Sequence, residues 1–244
     1  MSPDRPDPAA SVPEVPTGTV PPSAADLAAT WFLDHDSTEV ADFVTRHAPP
    51  GPDLTARAVA LYYAVRDSVR YEVYAADMSR DGLRASTVAR AGTGLCIHKS
   101  MLYAAALRAI GVPSRLVLAD VRNHLTSDRL RALMGGDVFR HHCYTLVHLD
   151  GRWIKATPVF SRRLCRLYRI GELEFDGRTD SLYHPYDMDG RRHMEFLRVH
   201  GEFSDLPYDR IVTDLRQAHP NLFAPAMRFV NGSLERDALG AGTR

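Results

Sequence analysis

The sequence predicts an α+β fold, in which helices combine with antiparallel strands, and two stretches predict it. A nearly continuous apolar run at 101–110 ends in a glycine and a proline, as buried helices commonly do. Further on, Asp150-Gly151 separates two runs rich in β-forming residues, 142–149 and 152–158. An Asp-Gly pair in this setting is typical of a two-residue type I′ hairpin.

Composition excludes several classes of protein. The 244 residues include 30 basic and 30 acidic side chains, so the formal net charge is zero and neither a nucleic-acid nor a membrane partner is expected. Three cysteines, an odd number, argue against a disulfide scaffold and favour a reducing compartment. The first residues lack the basic and apolar regions of a signal peptide, and no apolar run is long enough to span a bilayer. We therefore expect a cytoplasmic location.

The remaining elements follow from local pattern. Residues 1–24 are rich in proline and alanine without apolar periodicity, which predicts a disordered tail. Helical spacing of apolar residues, with capping residues before several of the segments, predicts helices over 39–47, 53–69, 85–91, 127–134 and 210–219. Short strands are expected at 71–74 and 114–121. Residues 161–206 show no regular period, which indicates a lid or binding surface, and 233–244 read as a second tail.

Cys96 lies where a glycine-containing loop turns into the apolar helix. A thiol at a helix N-terminus meets free N–H groups and the positive end of the helix dipole, both of which favour the nucleophilic thiolate. The backbone N–H of the same residue is also a natural donor to an oxyanion. We therefore expect Cys96 to be an activated nucleophile rather than a small buried apolar residue.

The hairpin fixes which side chains share a face of the sheet. A two-residue turn pairs Leu149 with Arg152, and by extension places His142, Tyr144 and Thr157 on one face. His142 and Thr157 become diagonal neighbours, about 7–8 Å apart between Cα atoms. The flanking His141 and Cys143 are then expected on the opposite face, with Cys143 in the core.

A cysteine, a later histidine and a polar residue on the next strand form the order of a nucleophile, its base and an orienting group. The thiolate attacks an acyl carbon, the imidazole accepts the thiol proton and returns it to the leaving group, and the third group holds the ring. The candidate catalytic residues are Cys96, His142 and Thr157.

The same residues resemble a known family. Gly94-Leu95-Cys96-Ile97-His98-Lys99-Ser100 and Leu107-Arg108-Ala109-Ile110-Gly111-Val112-Pro113-Ser114-Arg115 are similar to the transglutaminase-like pattern G-x-C-x-D-K-A … L-R-A-x-G-I-P-A-R. His142-Cys143-Tyr144 resembles its H-x-W/Y strand, and Gly151–Pro158 its G-x-W-V-x-x-D-P strand. The resemblance implies a papain-like core, with the nucleophile helix packed on an antiparallel sheet, and the roles of nucleophile for Cys96 and base for His142.

The resemblance covers about residues 55–160. It implies a single domain over 25–232, in which 161–232 form a C-terminal lid or extension. The later Leu173–Gly177 and His184–Asp187 are similar to one bacterial branch of the superfamily.

Two residues depart from the family pattern. Thr157 stands where most members have aspartate; its hydroxyl can accept an imidazole N–H but cannot stabilise an imidazolium by charge. Either the pair works without a carboxylate, or Asp176, Asp180 or Asp187 supplies one. His98 also replaces an aspartate, and we interpret it as a surface or substrate-facing residue, not a base.

These observations predict cysteine-dependent acyl transfer through a thioester on Cys96, with a peptide, a glutamine side chain or a carrier-bound thioester as substrate. A cysteine peptidase or amidase uses the same residues, and a non-catalytic binding module that retains the fold is the remaining alternative. No cofactor is expected. The histidines and aspartates at 184, 187, 189 and 193 match no zinc or calcium spacing, so no metal is expected.

Overall fold

The computed structural model describes residues 18–74, 76–183, 185–223 and 233–234. The helices within them are α1 (Thr38–His47), α2 (Leu54–Ser68), α3 (Ala85–Ala91), α4 (Cys96–Ala109), α5 (Asp128–Met134), α6 (Arg162–Tyr168) and α7 (Tyr208–Ala218). The strands are β1 (Arg70–Tyr71), β2 (Thr93–Gly94), β3 (Ser114–Asn123), β4 (Val138–Leu149), β5 (Arg152–Ala156) and β6 (Met194–Phe203). Short 3₁₀ turns occupy Ala24–Asp26 and Pro220–Phe223.

The main sheet is antiparallel, in the order β5-β4-β3-β6, and α4 packs against β3 and β4. Nearly every residue of α4 is buried, because the sheet covers one side of the helix and other helices cover the sides that the sheet leaves open. The α+β class, with the cysteine helix on an antiparallel sheet, is therefore confirmed.

The hairpin has the predicted register. Leu149 pairs with Arg152 and His148 with Trp153, while Asp150 and Gly151 adopt φ angles of 49° and 78°. Positive φ at both central residues is the requirement of a type I′ turn. The pairing ends at Thr145 and Ala156, so the expected pairing of Tyr144 with Thr157 lies just beyond the ladder.

The predicted helices are also present, and two of their caps form as expected. The side chains of Ser37 and Asp53 accept hydrogen bonds from backbone N–H groups three residues on, at 3.5 and 2.9 Å. The last helix, α7, begins at Tyr208, two residues before the predicted start at 210.

The region 161–206 contains more regular structure than its sequence pattern predicts. It includes α6 and the edge strand β6, which pairs with β3 through two irregularities in register. Only Met194 and Phe196 of β6 are buried. A strand with so few buried positions and broken register lacks the alternation by which a sequence reveals it.

The two expected tails lie mainly outside the described residues. Residues 18–24 are described, and the carbonyls of Val20 and Pro21 accept hydrogen bonds from Trp153 Nε1 at 2.9 Å and Arg115 Nη2 at 3.1 Å. Asp26 forms a buried ion pair with Arg115 at 2.9 Å. At the other end only 233–234 are described. Within the described part of the chain, no helix is long and apolar enough to cross a lipid bilayer.

Candidate active site

The N-terminus of α4 is built by a close approach between Gly94 and His98. A β-carbon on Gly94 would lie 2.4 Å from the Cβ of His98, so this position has room only for glycine. His98 Nδ1 accepts a hydrogen bond from the Leu95 N–H at 3.2 Å, and Nε2 donates to the Asp77 carbonyl at 3.0 Å. His98 is buried and caps the helix, so the interpretation of it as a surface or substrate-facing residue was wrong.

Cys96 is the first residue of α4, is only partly exposed, and lines a cleft. Burial raises the pKa of its thiol, while backbone N–H groups of Cys143, Ile97 and Cys96 itself lower it to a smaller extent. The helix terminus therefore acts as expected, but desolvation outweighs it. The raised pKa favours the thiol over the thiolate that the sequence suggested.

His142 lines the same cleft as Cys96. Its ring stands edge-on to Phe196 with 6.0 Å between the centroids. Burial lowers the pKa of His142 to about 4, and among the described residues neither a carboxylate nor a hydrogen bond opposes that shift. Near neutral pH this pKa favours the uncharged imidazole, the form that can accept a proton.

Thr157 follows β5 and lines a smaller cavity together with His142. It is buried, and its Oγ1 makes no hydrogen bond with any described residue. Its carbonyl instead accepts one from the Tyr62 hydroxyl at 3.2 Å. The structure places Thr157 and His142 around one cavity, without the hydroxyl–imidazole hydrogen bond that the sequence suggested.

The three alternative carboxylates are held elsewhere. Asp176 accepts hydrogen bonds from two backbone N–H groups of its own turn, at 2.8 and 2.7 Å. Asp180 pairs with Lys155 at 3.2 Å, and Asp187 pairs with Arg191 at 2.6 Å. None of them makes a hydrogen bond or ion pair with the described His142.

His141 lines the cleft as well, which strand alternation did not predict. Between the pairs Ala119–His142 and Val121–Phe139, two residues of β4 oppose one residue of β3, so the strand bulges. The φ angle of His141 is 54°. The expectation that His141 faces away from His142 did not allow for this bulge, which interrupts the two-residue period of the strand.

A polar network surrounds this bulge. The carboxylate of Asp120 accepts hydrogen bonds from Arg140 Nη1 at 2.5 Å, from His200 Nε2 at 2.8 Å and from the His141 N–H at 3.3 Å. His141 Nε2 in turn contacts Asp214 Oδ2 on α7 at 3.0 Å. The sequence offered no signal for these contacts beyond the adjacent histidines, because their partners come from β3, β6 and α7.

The other residues that the sequence singled out are placed as follows. Cys143 is buried in the core, as predicted, and both it and Cys165 are free thiols. Of the weighed metal residues, His184 lies outside the described residues, and Asp189 pairs with Arg169 at 2.7 Å. The described residues hold no group of three or more histidine, cysteine or acidic side chains arranged for a metal ion.

Comparison with known proteins gives a match for this core. Residues 41–158, a little under half of the chain, match the family described as the transglutaminase-like superfamily. The match supports a cysteine-based catalytic function.

The particular relatives are distant. The search of curated proteins gives no match. Among solved structures, a protein from Cytophaga hutchinsonii described as a “Putative Cysteine Protease” aligns at 13% identity and a TM-score of 0.41. The alignment covers 72% of this chain and 52% of that protein, so this chain spans about half its length.

Proposed function

We propose that the protein transfers acyl groups through a thioester on Cys96, with His142 as the general base. The observation that carries the proposal is that these two side chains, 46 positions apart in sequence, line one cleft at the N-terminus of a buried helix. The superfamily match over residues 41–158 supports the same assignment.

The charge state of the pair suggests the order of proton transfer. A raised thiol pKa and an imidazole pKa of about 4 favour a neutral thiol and a neutral base in one cleft over a preformed ion pair. As Cys96 attacks the acyl carbon, its proton passes to His142, which then returns that proton to the leaving group. The N–H of Cys96 is positioned at the helix start to donate to the developing oxyanion.

Thr157 enters this proposal because its side chain carries no carboxylate. An aspartate at this position would stabilise the imidazolium by charge, whereas a threonine hydroxyl does not. The imidazolium then exists only during proton transfer, and Thr157 contributes to the shape of the wall behind the ring.

A covalent assay tests the proposal. An acetyl thioester of N-acetylcysteamine should acetylate Cys96, detected as a mass increase on its peptide, and Cys96→Ala should abolish the adduct. His142→Ala should lower the acylation rate at least 100-fold, because general base catalysis is worth about 10²–10⁴-fold. Cys165→Ala, which removes another buried thiol, is the matched control and should react at the wild-type rate.

The fate of the acetyl group distinguishes the alternatives. Release as an amide when a primary amine is supplied indicates a transferase, and release as acetate regardless of amine indicates a hydrolase of the peptidase or amidase type. If neither the thioester nor iodoacetamide modifies Cys96 selectively near neutral pH, the catalytic proposal is refuted and a non-catalytic binding module remains.

A further inference from the structure

The cleft beside Cys96 has mainly apolar walls. They are contributed by the segment after β1, the first turn of α4, and α5, α6 and α7. Representative side chains among them are Val73, Ile97, Leu130, Leu164, Ile170 and Leu215. Such a lining gains free energy by excluding water when an apolar group enters it.

Several polar side chains of the lining are occupied by contacts within the protein. Asn123 Oδ1 accepts the Leu125 N–H at 3.0 Å, and Ser127 Oγ accepts the Leu130 N–H at 3.2 Å. Arg140 is paired with Asp120. No aspartate, glutamate or lysine occurs among the described lining residues. A charged acyl group would lose its hydration here, and the one formal charge among the described lining residues, that of Arg140, is already paired with Asp120.

We infer that the acyl group accepted by Cys96 is uncharged and apolar, an aliphatic or aromatic acyl chain, rather than a charged one. This inference rests on the proposed function and specifies its substrate class. In the reaction with a thioester, the bond between the acyl carbon and the donor sulfur breaks and a bond to Cys96 Sγ forms. The Cys96 proton passes through His142 to the released thiol, so the step needs no further reactant.

The expected preference of Cys96 for longer acyl chains can be expressed as a ratio of acylation rates. Each methylene moved from water into an apolar site is worth about 0.8 kcal/mol, which corresponds to about a fourfold change in rate at subsaturating substrate. The acylation rate should therefore rise about fourfold per methylene from acetyl to butyryl to hexanoyl, until the chain exceeds the cleft.

The test uses N-acetylcysteamine thioesters and the whole chain. Cys96 acylation is followed by intact mass for acetyl, butyryl, hexanoyl and octanoyl donors, and for a succinyl donor as the charged counterpart of butyryl. We expect the graded increase, and butyryl at least tenfold faster than succinyl. Equal rates for all chain lengths, or succinyl as fast as butyryl, would overturn the inference while leaving Cys96 acylation intact.

Iodoacetamide, a small uncharged electrophile, separates the two possible failures. If it alkylates Cys96 while none of the thioesters reacts, the substrate class is wrong. If it also fails to react, the nucleophile itself is refuted, and the inference falls with the proposed function.

Two variants test the apolar lining of the cleft directly. Leu125 and Leu222 line the cleft from different elements and are only partly buried, so a polar replacement is compatible with folding. Leu125→Asp and Leu222→Asp should each lower the ratio of hexanoyl to acetyl rates at least tenfold. Leu54→Asp places the same charge at an exposed helix position outside the cleft and should leave that ratio unchanged. An unchanged ratio in both cleft variants would contradict the inference.

Discussion

His141 and His142 are consecutive residues of one strand, yet both line the cleft that contains Cys96. Consecutive residues of a regular strand point to opposite faces. The bulge opposite Asp120 and the positive φ of His141 remove that constraint here. These two imidazoles of the cleft therefore have different surroundings: His141 contacts a carboxylate, whereas among the described residues burial alone shifts the pKa of His142.

Replacing Thr157 by aspartate should raise the pKa of His142. The new carboxylate would favour the imidazolium, which burial now disfavours so strongly that the pKa is about 4. The titration of the His142 ring, followed by NMR, should move to higher pH. The acid limb of the Cys96 acylation rate should move with it, because the base becomes protonated at a higher pH.

Thr157→Val is the control for that experiment. It keeps the shape of the side chain and removes a buried hydroxyl that has no hydrogen-bond partner among the described residues. Its loss should therefore change the free energy of unfolding by less than about 1 kcal/mol, or stabilise the protein. A His142 pKa that rises equally in both variants would show that charge is not the cause.

Gly94→Ala should disturb the start of α4 and lower stability. Its β-carbon would lie 2.4 Å from the Cβ of His98, so the backbone must shift at the residues that hold Cys96. We expect a loss of about 1–3 kcal/mol in denaturant unfolding, as for other overpacked sites. Gly92→Ala is the comparison. Apart from its chain neighbours, no atom of the described residues lies within 4 Å of the added β-carbon, and the φ of 60° alone predicts a cost of about 1–2 kcal/mol. Only Gly94→Ala should also slow the alkylation of Cys96.

Lys99 gives the protein a predictable dependence of stability on pH. The side chain is fully buried, its Nζ donates to the Arg66 and Val69 carbonyls, and burial lowers its pKa from 10.5 to about 7. The folded state therefore disfavours the charged lysine, and stability is lost as pH falls from about 10.5 towards 7. Lys99→Met cannot titrate and lacks this loss.

The measurement is the difference in unfolding free energy between Lys99→Met and the wild type across pH. That difference should shift in favour of the variant by several kcal/mol as pH falls from 10.5 to 7, since each pKa unit is worth about 1.4 kcal/mol. The contributions of other titrating groups cancel in this difference because both proteins share those groups. Parallel stability curves would contradict a depressed lysine pKa.

The sequence predicted those features that depend on local pattern. The helices over 38–47, 54–68 and 96–109 follow from apolar spacing and caps, and the hairpin register from Asp150-Gly151. It could not predict the β4 bulge, because that depends on Asp120, a residue of another strand. It also could not weigh the helix dipole against burial at Cys96, since burial there results from elements distant in sequence.

The contact between His141 and Asp214 provides the last prediction. Burial lowers the pKa of His141 and Asp214 partly opposes that shift, so Asp214→Asn should lower the pKa further. NMR titration of the His141 ring measures this pKa directly.

Asp209→Asn is the control. Asp209 lies on the same helix as Asp214 and pairs with Arg80 at 3.1 Å, so its replacement removes an equal charge elsewhere and should leave the pKa of His141 unchanged. The His142 titration should also stay near its wild-type value in Asp214→Asn, because burial is the cause of its shift. If the pKa values of both rings shift, the Asp214 carboxylate acts on the whole bulge and not on the one imidazole that it contacts.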